Sequence, residues 1–226
     1  MSVATLAPPA ISSTDPVAAA PSHASGEVTV QEYLALERHA EIRHEYAGGK
    51  LIPMFGTTPV HNQIAGNLYV FFHIAFRDRE CVAYINDIRL RVSPETYRYP
   101  DVMALCGVPE FDQEKPPCLL NPAVIVEVLS PSISETDRSD KLEEYRALPS
   151  VTDYLIVATD RVRVTHYVRK DARSWTLTDY LGEDETLVLS SLNVALTLDD
   201  LYRKVVLPLA SVASTGTIQS SHQSQI

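Results

Sequence analysis

Two short apolar segments each contain a single carboxylate where an ordinary core strand would carry none. Asp101 stands at the start of one predicted strand, in RYPDVMALCG (98–107), and Glu127 lies in the middle of another, in AVIVEVLSPS (123–132). An ionised carboxylate buried without a partner is costly, so both acids should be paired or bound. If the two strands are neighbours, the acids form an oxygen-rich pocket that suits Mg²⁺ or Mn²⁺. Glu45, on an earlier predicted hairpin, could complete this site.

The alternation of side chains along a strand indicates what Glu127 faces. Glu127 shares one face of its strand with Ile125 and Leu129, and the valines of the segment take the other face. The structural alternative to a metal ligand is a buried salt bridge from Glu127 to Arg89 or Arg91. The strand pattern alone leaves both interpretations open.

Helices and turns with recognisable boundary signals precede these strands. Thr29 and Glu32 form a capping box at the start of a short helix in TVQEYLALE. Gly48 and Gly49 predict a two-residue turn in the hairpin RHEYAGGKLIPM, because both central positions of such a turn need a positive φ. Pro59 begins a long helix whose apolar residues recur with helical spacing. These apolar residues are Val60, Ile64, Leu68, Phe71 and Ala75.

The remaining segments predict an α/β fold. The pattern predicts strands in CVAYINDIRLRV, DVMALC, AVIVEVL and DYLIVAT, with a helix at 136–148 before the last of them. It predicts further hairpin strands in RVRVTHYV, SWTLTDYL and TLVLSSLNVALT, and a short helix near 198–204. The sum is a mixed β-sheet flanked by helices, with additional antiparallel hairpin strands on the C-terminal side.

The composition predicts one folded domain between two disordered tails. The chain has 226 residues, of which 45% are hydrophobic and 21% charged, as is typical of a globular domain. Residues 1–26 are rich in Ala, Pro and Ser and residues 208–226 in Ser, Thr and Gln, so neither segment can bury enough apolar surface to order itself. The domain is expected at 27–207. No apolar run could span a membrane and no Lys or Arg precedes Arg38, so we expect no membrane partner and a cytoplasmic location.

The cysteines and the net charge limit which kinds of site and of binding partner are expected. Cys81, Cys106 and Cys118 are an odd number without a C-x-x-C pair, which predicts buried reduced thiols rather than disulfides or a zinc site. The net charge of −10 disfavours indiscriminate binding to nucleic acid. Contact with nucleic acid would therefore need a local basic surface.

A basic surface of this kind is predicted at RVRVTHYVRKDAR (161–173). Arg161 and Arg163 would point to one side of a strand, and Arg169 and Lys170 would lie at the turn beyond it. The alternative is an ordinary solvated hairpin, since charge runs usually face water.

The order of these segments resembles that of a nuclease superfamily. YPD (99–101), VEVLSPS (126–132) and DRSDKLEEYRALPSVTDYLIV (137–157) are similar to motifs of the PD-(D/E)xK superfamily, most closely to those of its Uma2 branch of restriction-endonuclease-like proteins. RHEYAGGKLIPM, HNQIAGNL and NDIRLRV fit the same branch. The resemblance covers about 28–205.

The resemblance implies a restriction-endonuclease-like fold in which Asp101 and Glu127 hold Mg²⁺ or Mn²⁺, with Glu45 as a further acid. The metal would polarise the scissile phosphate and lower the pKa of an attacking water. The implied activity is hydrolysis of phosphodiester bonds, with DNA as the expected partner. A double-strand cut would need two active sites, which a homodimer would supply.

One position departs from the superfamily pattern. The superfamily has Lys two residues after the Glu, where this chain has Leu129, which can neither orient water nor stabilise the phosphate. Lys141, beside Tyr145 on the predicted helix 136–148, is the nearest replacement and could reach back across the end of the strand. The alternative is an exposed helix lysine paired with Glu143 or Glu144.

Three more residues are candidates for accessory roles: His61, Asp87 and Tyr145. His61, in the first turn of the long helix, could act as a base or contact a phosphate, or it could be a structural hydrogen-bonding group. Asp87 could join the site or pair with its neighbour Arg89. The favoured function is a metal-dependent endonuclease. The missing strand lysine leaves open a catalytically inactive nuclease-fold protein that binds nucleic acid or protein.

Overall fold

Twelve strands and four helices make up the described part of the chain. The computed structural model describes residues 27–129 and 135–208, so the predicted tails, 1–26 and the chain from 209 onward, lie outside the described residues. The helices are α1 (Val30–Glu37), α2 (Pro59–Ala75), α3 (Glu135–Ala147) and α4 (Leu198–Leu201). The strands are β1 (His44–Ala47), β2 (Lys50–Pro53), β3 (Cys81–Ile85), β4 (Leu90–Ser93), β5 (Thr96–Arg98), β6 (Val102–Cys106), β7 (Val124–Leu129), β8 (Asp153–Ala158), β9 (Val164–Arg169), β10 (Trp175–Tyr180), β11 (Thr186–Leu189) and β12 (Val194–Thr197).

The strands form a large mixed sheet, a smaller sheet and a hairpin. The large sheet has the order β10-β9-β8-β7-β6-β3, and the smaller one has the order β2-β1-β5-β4. β7 and β8 run parallel and are joined through α3, whereas β6 pairs with β7 in antiparallel fashion. β11 and β12 form the separate hairpin. This mixed sheet with flanking helices and antiparallel strands confirms the predicted fold class.

The two faces of β7 pack against different helices. Its valines lie in the core that contains the buried face of α2, whereas Ile125 lies in the core that contains Tyr145 and Leu148, from α3 and the residues just after it. The predicted alternation is thus confirmed, and Glu127 points toward the α3 side. A third cluster joins α1 to the smaller sheet through stacked tyrosines, Tyr33 and Tyr46 among them.

Most of the predicted local signals are found in the structure. Thr29 and Glu32 form the capping box of α1, and Gly48 and Gly49 have φ values of 50° and 86° in the β1–β2 turn. Pro59 lies in the first turn of α2. The buried face of α2 differs slightly from the expected stripe, because its fully buried aromatic residue is Phe72 and Phe71 is only partly buried.

One predicted strand is two strands in the structure. The segment CVAYINDIRLRV forms β3 and β4, which belong to different sheets. Asn86 and Asp87 have φ values of 45° and 49° between them. Asn and Asp tolerate this left-handed conformation better than most residues, so they allow the chain to turn from one sheet to the other.

The prediction of three reduced cysteines was wrong for two of them. Cys81 and Cys106 form a disulfide, while Cys118 is a buried free thiol. The two bonded cysteines lie directly opposite each other on β3 and β6. Their proximity depends on the register of a strand pair, which cysteine spacing in the sequence does not reveal.

The predicted basic surface also differs from expectation. β9 begins at Val164, so Arg161 and Arg163 precede the strand instead of alternating along it. Arg163 pairs with Asp179 at 3.1 Å, and Arg169 donates hydrogen bonds to the carbonyl oxygens of Arg146 and Leu148 at the end of α3. Lys170 is exposed.

Within the described ranges, no helix has the length and apolar character needed to cross a membrane.

Candidate active site

Asp101 lies at the point where three elements meet, immediately before β6. Its Oδ2 accepts a hydrogen bond of 2.7 Å from the backbone N–H of Val128 on β7. Its Oδ1 lies 3.0 Å from Nε2 of His61 in the first turn of α2. Its carbonyl oxygen accepts from the backbone N–H of Asn86 at 3.0 Å. The carboxylate is therefore fixed in position between the large sheet and α2.

Glu127 is buried on β7 and faces two residues of α3. Its Oε1 accepts a hydrogen bond of 2.6 Å from the hydroxyl of Tyr145 and lies 3.2 Å from Nζ of Lys141. Lys141 is itself buried, so the alternative of an exposed helix lysine was wrong. The alternative of a buried salt bridge is found with Lys141 and not with Arg89, which donates to Cys118 Sγ and to the carbonyl oxygen of a nearby proline.

Glu45 belongs to the same buried network, through cations. Its Oε1 lies 3.2 Å from Nζ of Lys141, and its Oε2 accepts from Arg98 at 2.9 Å. Arg98 also donates two hydrogen bonds of 2.7 Å to the carboxylate of Glu144. The charges thus alternate in the order Glu144, Arg98, Glu45, Lys141, Glu127. Opposite charges next to each other reduce the cost of burying the whole set.

The sequence reasoning missed Arg98. It is buried in β5 and joins the smaller sheet to α3 through Glu45 and Glu144. An arginine three residues before Asp101, next to buried aromatic residues, was the available signal. Its partners could not be identified from the sequence, because the residues that it contacts come from β1 and α3.

The environment of Glu127 favours its protonated form. Burial raises the pKa of Glu127 to about 7, and the negative charges of Asp101 and Glu45 act in the same direction. The Lys141 ammonium and the Tyr145 hydroxyl oppose this rise in pKa. Burial also raises the pKa of Tyr145 well above its ordinary value, so its hydroxyl stays neutral and can donate. Mutual repulsion between acids at one place favours the binding of a cation.

The acids match a two-carboxylate metal site better than the predicted three-carboxylate site. Within residues 27–129 and 135–208, no group of three or more His, Cys, Asp and Glu residues could hold a metal ion. Glu45 accepts from Lys141, Arg98 and the backbone N–H of Tyr99. Mg²⁺ is commonly bound by one or two carboxylates together with substrate phosphates. Asp101 and Glu127 have the carboxylate oxygens that such a site would use, whereas Glu45 contacts Lys141 and Arg98.

A cleft of about 680 Å³ opens beside Asp101. His61 and Asp87 also line it, whereas Glu127 lies beneath its surface. The Nδ1 of His61 is buried and has no hydrogen-bond partner among the described residues. The alternative in which Asp87 pairs with Arg89 is not found, since Arg89 donates to Cys118. The cleft lining thus contains Asp101, His61 and Asp87, whereas Glu127, Glu45, Lys141 and Tyr145 belong to the buried network, and the candidate basic residues are not among the lining residues.

The raised pKa of Glu127 predicts a pH-dependent stability. Between the ordinary pKa of 4.5 and the folded value of about 7, the folded protein retains a proton that the unfolded chain releases. The free energy of unfolding should therefore fall as pH rises through this range. In metal-free buffer, the stability of Glu127→Gln relative to wild type should increase from pH 5 to pH 8, as measured by urea unfolding. A constant difference between the two proteins would contradict the raised pKa.

Comparison with known proteins gives consistent results. The family model Uma2, described as "Putative restriction endonuclease", matches residues 30–200. "Uncharacterized protein sll1609" from Synechocystis sp. is 33% identical over 168 residues, which cover 74% of this chain and 95% of that protein. "Uncharacterized protein slr1290" from the same organism is 30% identical over 188 residues, covering 83% of this chain and 97% of that protein.

A solved structure shares the fold. The crystal structure of a "putative nuclease belonging to DUF820" from Anabaena variabilis superposes with a TM-score of 0.63 and 18% sequence identity. The superposition covers 77% of this chain and 97% of that chain.

Proposed function

Because this chain belongs to the Uma2 family of restriction-endonuclease-like proteins, we propose that it is a divalent-metal-dependent endonuclease that hydrolyses phosphodiester bonds of DNA. The observation that carries the proposal is the position of Lys141. Its ammonium lies 3.2 Å from Glu127, although the strand position that holds the superfamily lysine is Leu129. A lysine supplied from α3 thus accompanies the two acids.

Each residue of the site has a distinct role in this proposal. Asp101 and Glu127 would hold Mg²⁺ or Mn²⁺, which supplies charge stabilisation and an activated water when bound. Lys141 would donate to the phosphate as its negative charge grows in the transition state. His61 orients the Asp101 carboxylate, and Glu45 positions Lys141 from the opposite side to Glu127. Two such sites in a homodimer would cut both strands of a duplex.

The alternative is a nuclease-fold protein that binds nucleic acid or protein without cleaving it. The observation in its favour is that Lys141 lies between two carboxylates, so part of the site is internally neutralised. A metal ion that binds the folded protein alone raises its stability by mass action. Stabilisation by Mg²⁺ or Mn²⁺ therefore favours the nuclease, and indifference to both metals favours the binding module.

The proposal is tested by plasmid nicking with Mg²⁺, with Mn²⁺ and with EDTA. Wild type should nick supercoiled DNA with either metal and not with EDTA. Asp101→Asn retains the shape of the side chain but removes its charge, so nicking should fall by about 100-fold or more. Asp78→Asn, at an exposed position after α2, is the matched control and should cleave like wild type. Equal nicking by Asp101→Asn and wild type would contradict the proposed role of Asp101.

A further inference from the structure

One part of the cleft presents exposed apolar side chains. Phe55, in the loop between β2 and α2, is 79% exposed, and Ile42 is 48% exposed. Both residues line the same cleft as Asp101, together with Met54. An exposed aromatic ring beside a cleft can bind a ligand by covering its apolar surface, which removes that surface from water. Phe55 is thus the exposed aromatic side chain that the described lining of this cleft offers to a ligand.

The loop that carries Phe55 is anchored on both sides. Before Phe55, the backbone N–H of Met54 donates to the carbonyl oxygen of Arg43 at 2.8 Å. After it, the Thr58 hydroxyl accepts from the backbone N–H of His61 and caps α2. His61 in turn contacts Asp101. Residues 55–57 thus lie between two anchored points, and Phe55 lines the same cleft as Asp101.

The charges around the cleft are unfavourable for a duplex held by its phosphates. Among the described residues that line it, Arg43 is the only Lys or Arg, against the acids Glu41, Asp87 and Asp101. Duplex DNA is bound mainly through Lys and Arg contacts to phosphates. The residues Arg163 and Arg169, which were predicted to supply such contacts, are engaged with Asp179 and with the end of α3. Contacts other than those between cations and phosphates would therefore have to contribute to the affinity of this cleft for DNA.

We propose that Phe55 is a stacking platform for an unpaired nucleobase next to the scissile phosphate, so that the substrate is single-stranded or locally unpaired DNA. This inference rests on the proposed nuclease function and specifies its substrate class. Aromatic rings bind single strands by stacking on bases, which every base permits and which adds affinity to the contacts with the phosphate backbone. In a duplex the bases are stacked on one another, so a duplex offers Phe55 no free base face on which to stack.

Binding without cleavage tests the inference directly. Wild type, Phe55→Ala and Phe55→Trp are titrated in EDTA with a fluorescein-labelled single strand of about 20 nucleotides and with its duplex, and anisotropy gives each Kd. Phe55→Ala should weaken single-strand binding about tenfold and leave duplex binding unchanged. Phe55→Trp should bind within about twofold of wild type, and the added tryptophan should be quenched by the single strand. Phe111→Ala, at an exposed aromatic outside the cleft lining, is the control.

Cleavage of the same oligonucleotides with Mn²⁺ separates this inference from the proposed function. Phe55→Ala should raise KM on the single strand about tenfold with little change in kcat. If wild type cleaves but Phe55→Ala has the same KM on the single strand as wild type, the stacking role is overturned and the nuclease function stands. The same conclusion follows if Phe55→Ala loses cleavage equally on the single strand and on the duplex. If wild type binds single strands through Phe55 but never cleaves, the nuclease is overturned and the stacking role stands. If wild type neither binds nor cleaves, both are overturned.

Discussion

Replacing Glu127 by Gln is expected to reduce phosphodiester cleavage by a factor on the order of 10³ or more while the domain stays folded. Gln has the same shape and can still accept the hydrogen bond from Tyr145, but it cannot supply the charged oxygen that a divalent cation requires. The substitution also removes the cost of ionising a buried acid, so it should not lower stability at neutral pH. Single-turnover cleavage of labelled DNA with saturating Mn²⁺ measures the effect.

The control for this prediction is Glu143→Gln. Glu143 lies on the exposed side of α3, next to the network but outside it, and its replacement should leave the cleavage rate within about twofold. Near-normal cleavage by Glu127→Gln would mean that the buried acid is not a metal ligand. The candidate active site would then have to be assigned elsewhere.

Lys141→Ala is expected to have two separate consequences. Cleavage should fall about 100-fold, because the phosphate loses a cation that acts as charge develops in the transition state. In metal-free buffer, the free energy of unfolding should also fall, by about 3–5 kcal/mol, because Glu45 and Glu127 lose the ammonium between them. Added Mn²⁺ should restore part of this stability, since a bound cation replaces some of the missing charge. Urea unfolding with and without metal measures this recovery.

A double variant separates the two effects of Lys141. Lys141→Ala with Glu45→Gln leaves one buried carboxylate instead of two, so it should recover part of the stability without recovering cleavage. Lys50→Ala, on the exposed β2, is the matched control and should match wild type in both measurements. If Lys141→Ala cleaves like wild type while Glu127→Gln is inactive, the metal site stands and the lysine from α3 has no catalytic role.

Local sequence patterns predicted those features of the fold that depend on neighbouring residues. Alternation along β7 identified the inward position of Glu127, and the double glycine identified the β1–β2 turn, because both follow from backbone geometry over a few residues. The pairing of Cys81 with Cys106 depends on strand register instead. The bonds of Arg98 to Glu45 and Glu144 depend on the strand order of the smaller sheet and on how α3 packs against it. Neither feature has a local signal.

In the candidate site, too, the sequence predicted some features, and others depend on how distant segments come together. The order of motifs brought Asp101, Glu127, Glu45 and Lys141 to attention. The structure places the last three in one buried network, and Asp101 lines the cleft and accepts from the backbone N–H of Val128, next to Glu127. The sequence did not distinguish a metal ligand from a positioning group among the acids. That distinction depends on which donors each carboxylate meets, and the donors of Glu45 are Arg98, Lys141 and a backbone N–H.

The alternating ion network has a consequence for how proteins of this architecture change over time. Its members come from β1, β5, β7 and α3, so the same side chains that form the candidate active site also fasten the smaller sheet to the larger one. A descendant that lost its chemistry would still need these acids and cations to hold its two sheets together. In this fold, selection for assembly alone can therefore preserve the signature of an enzyme.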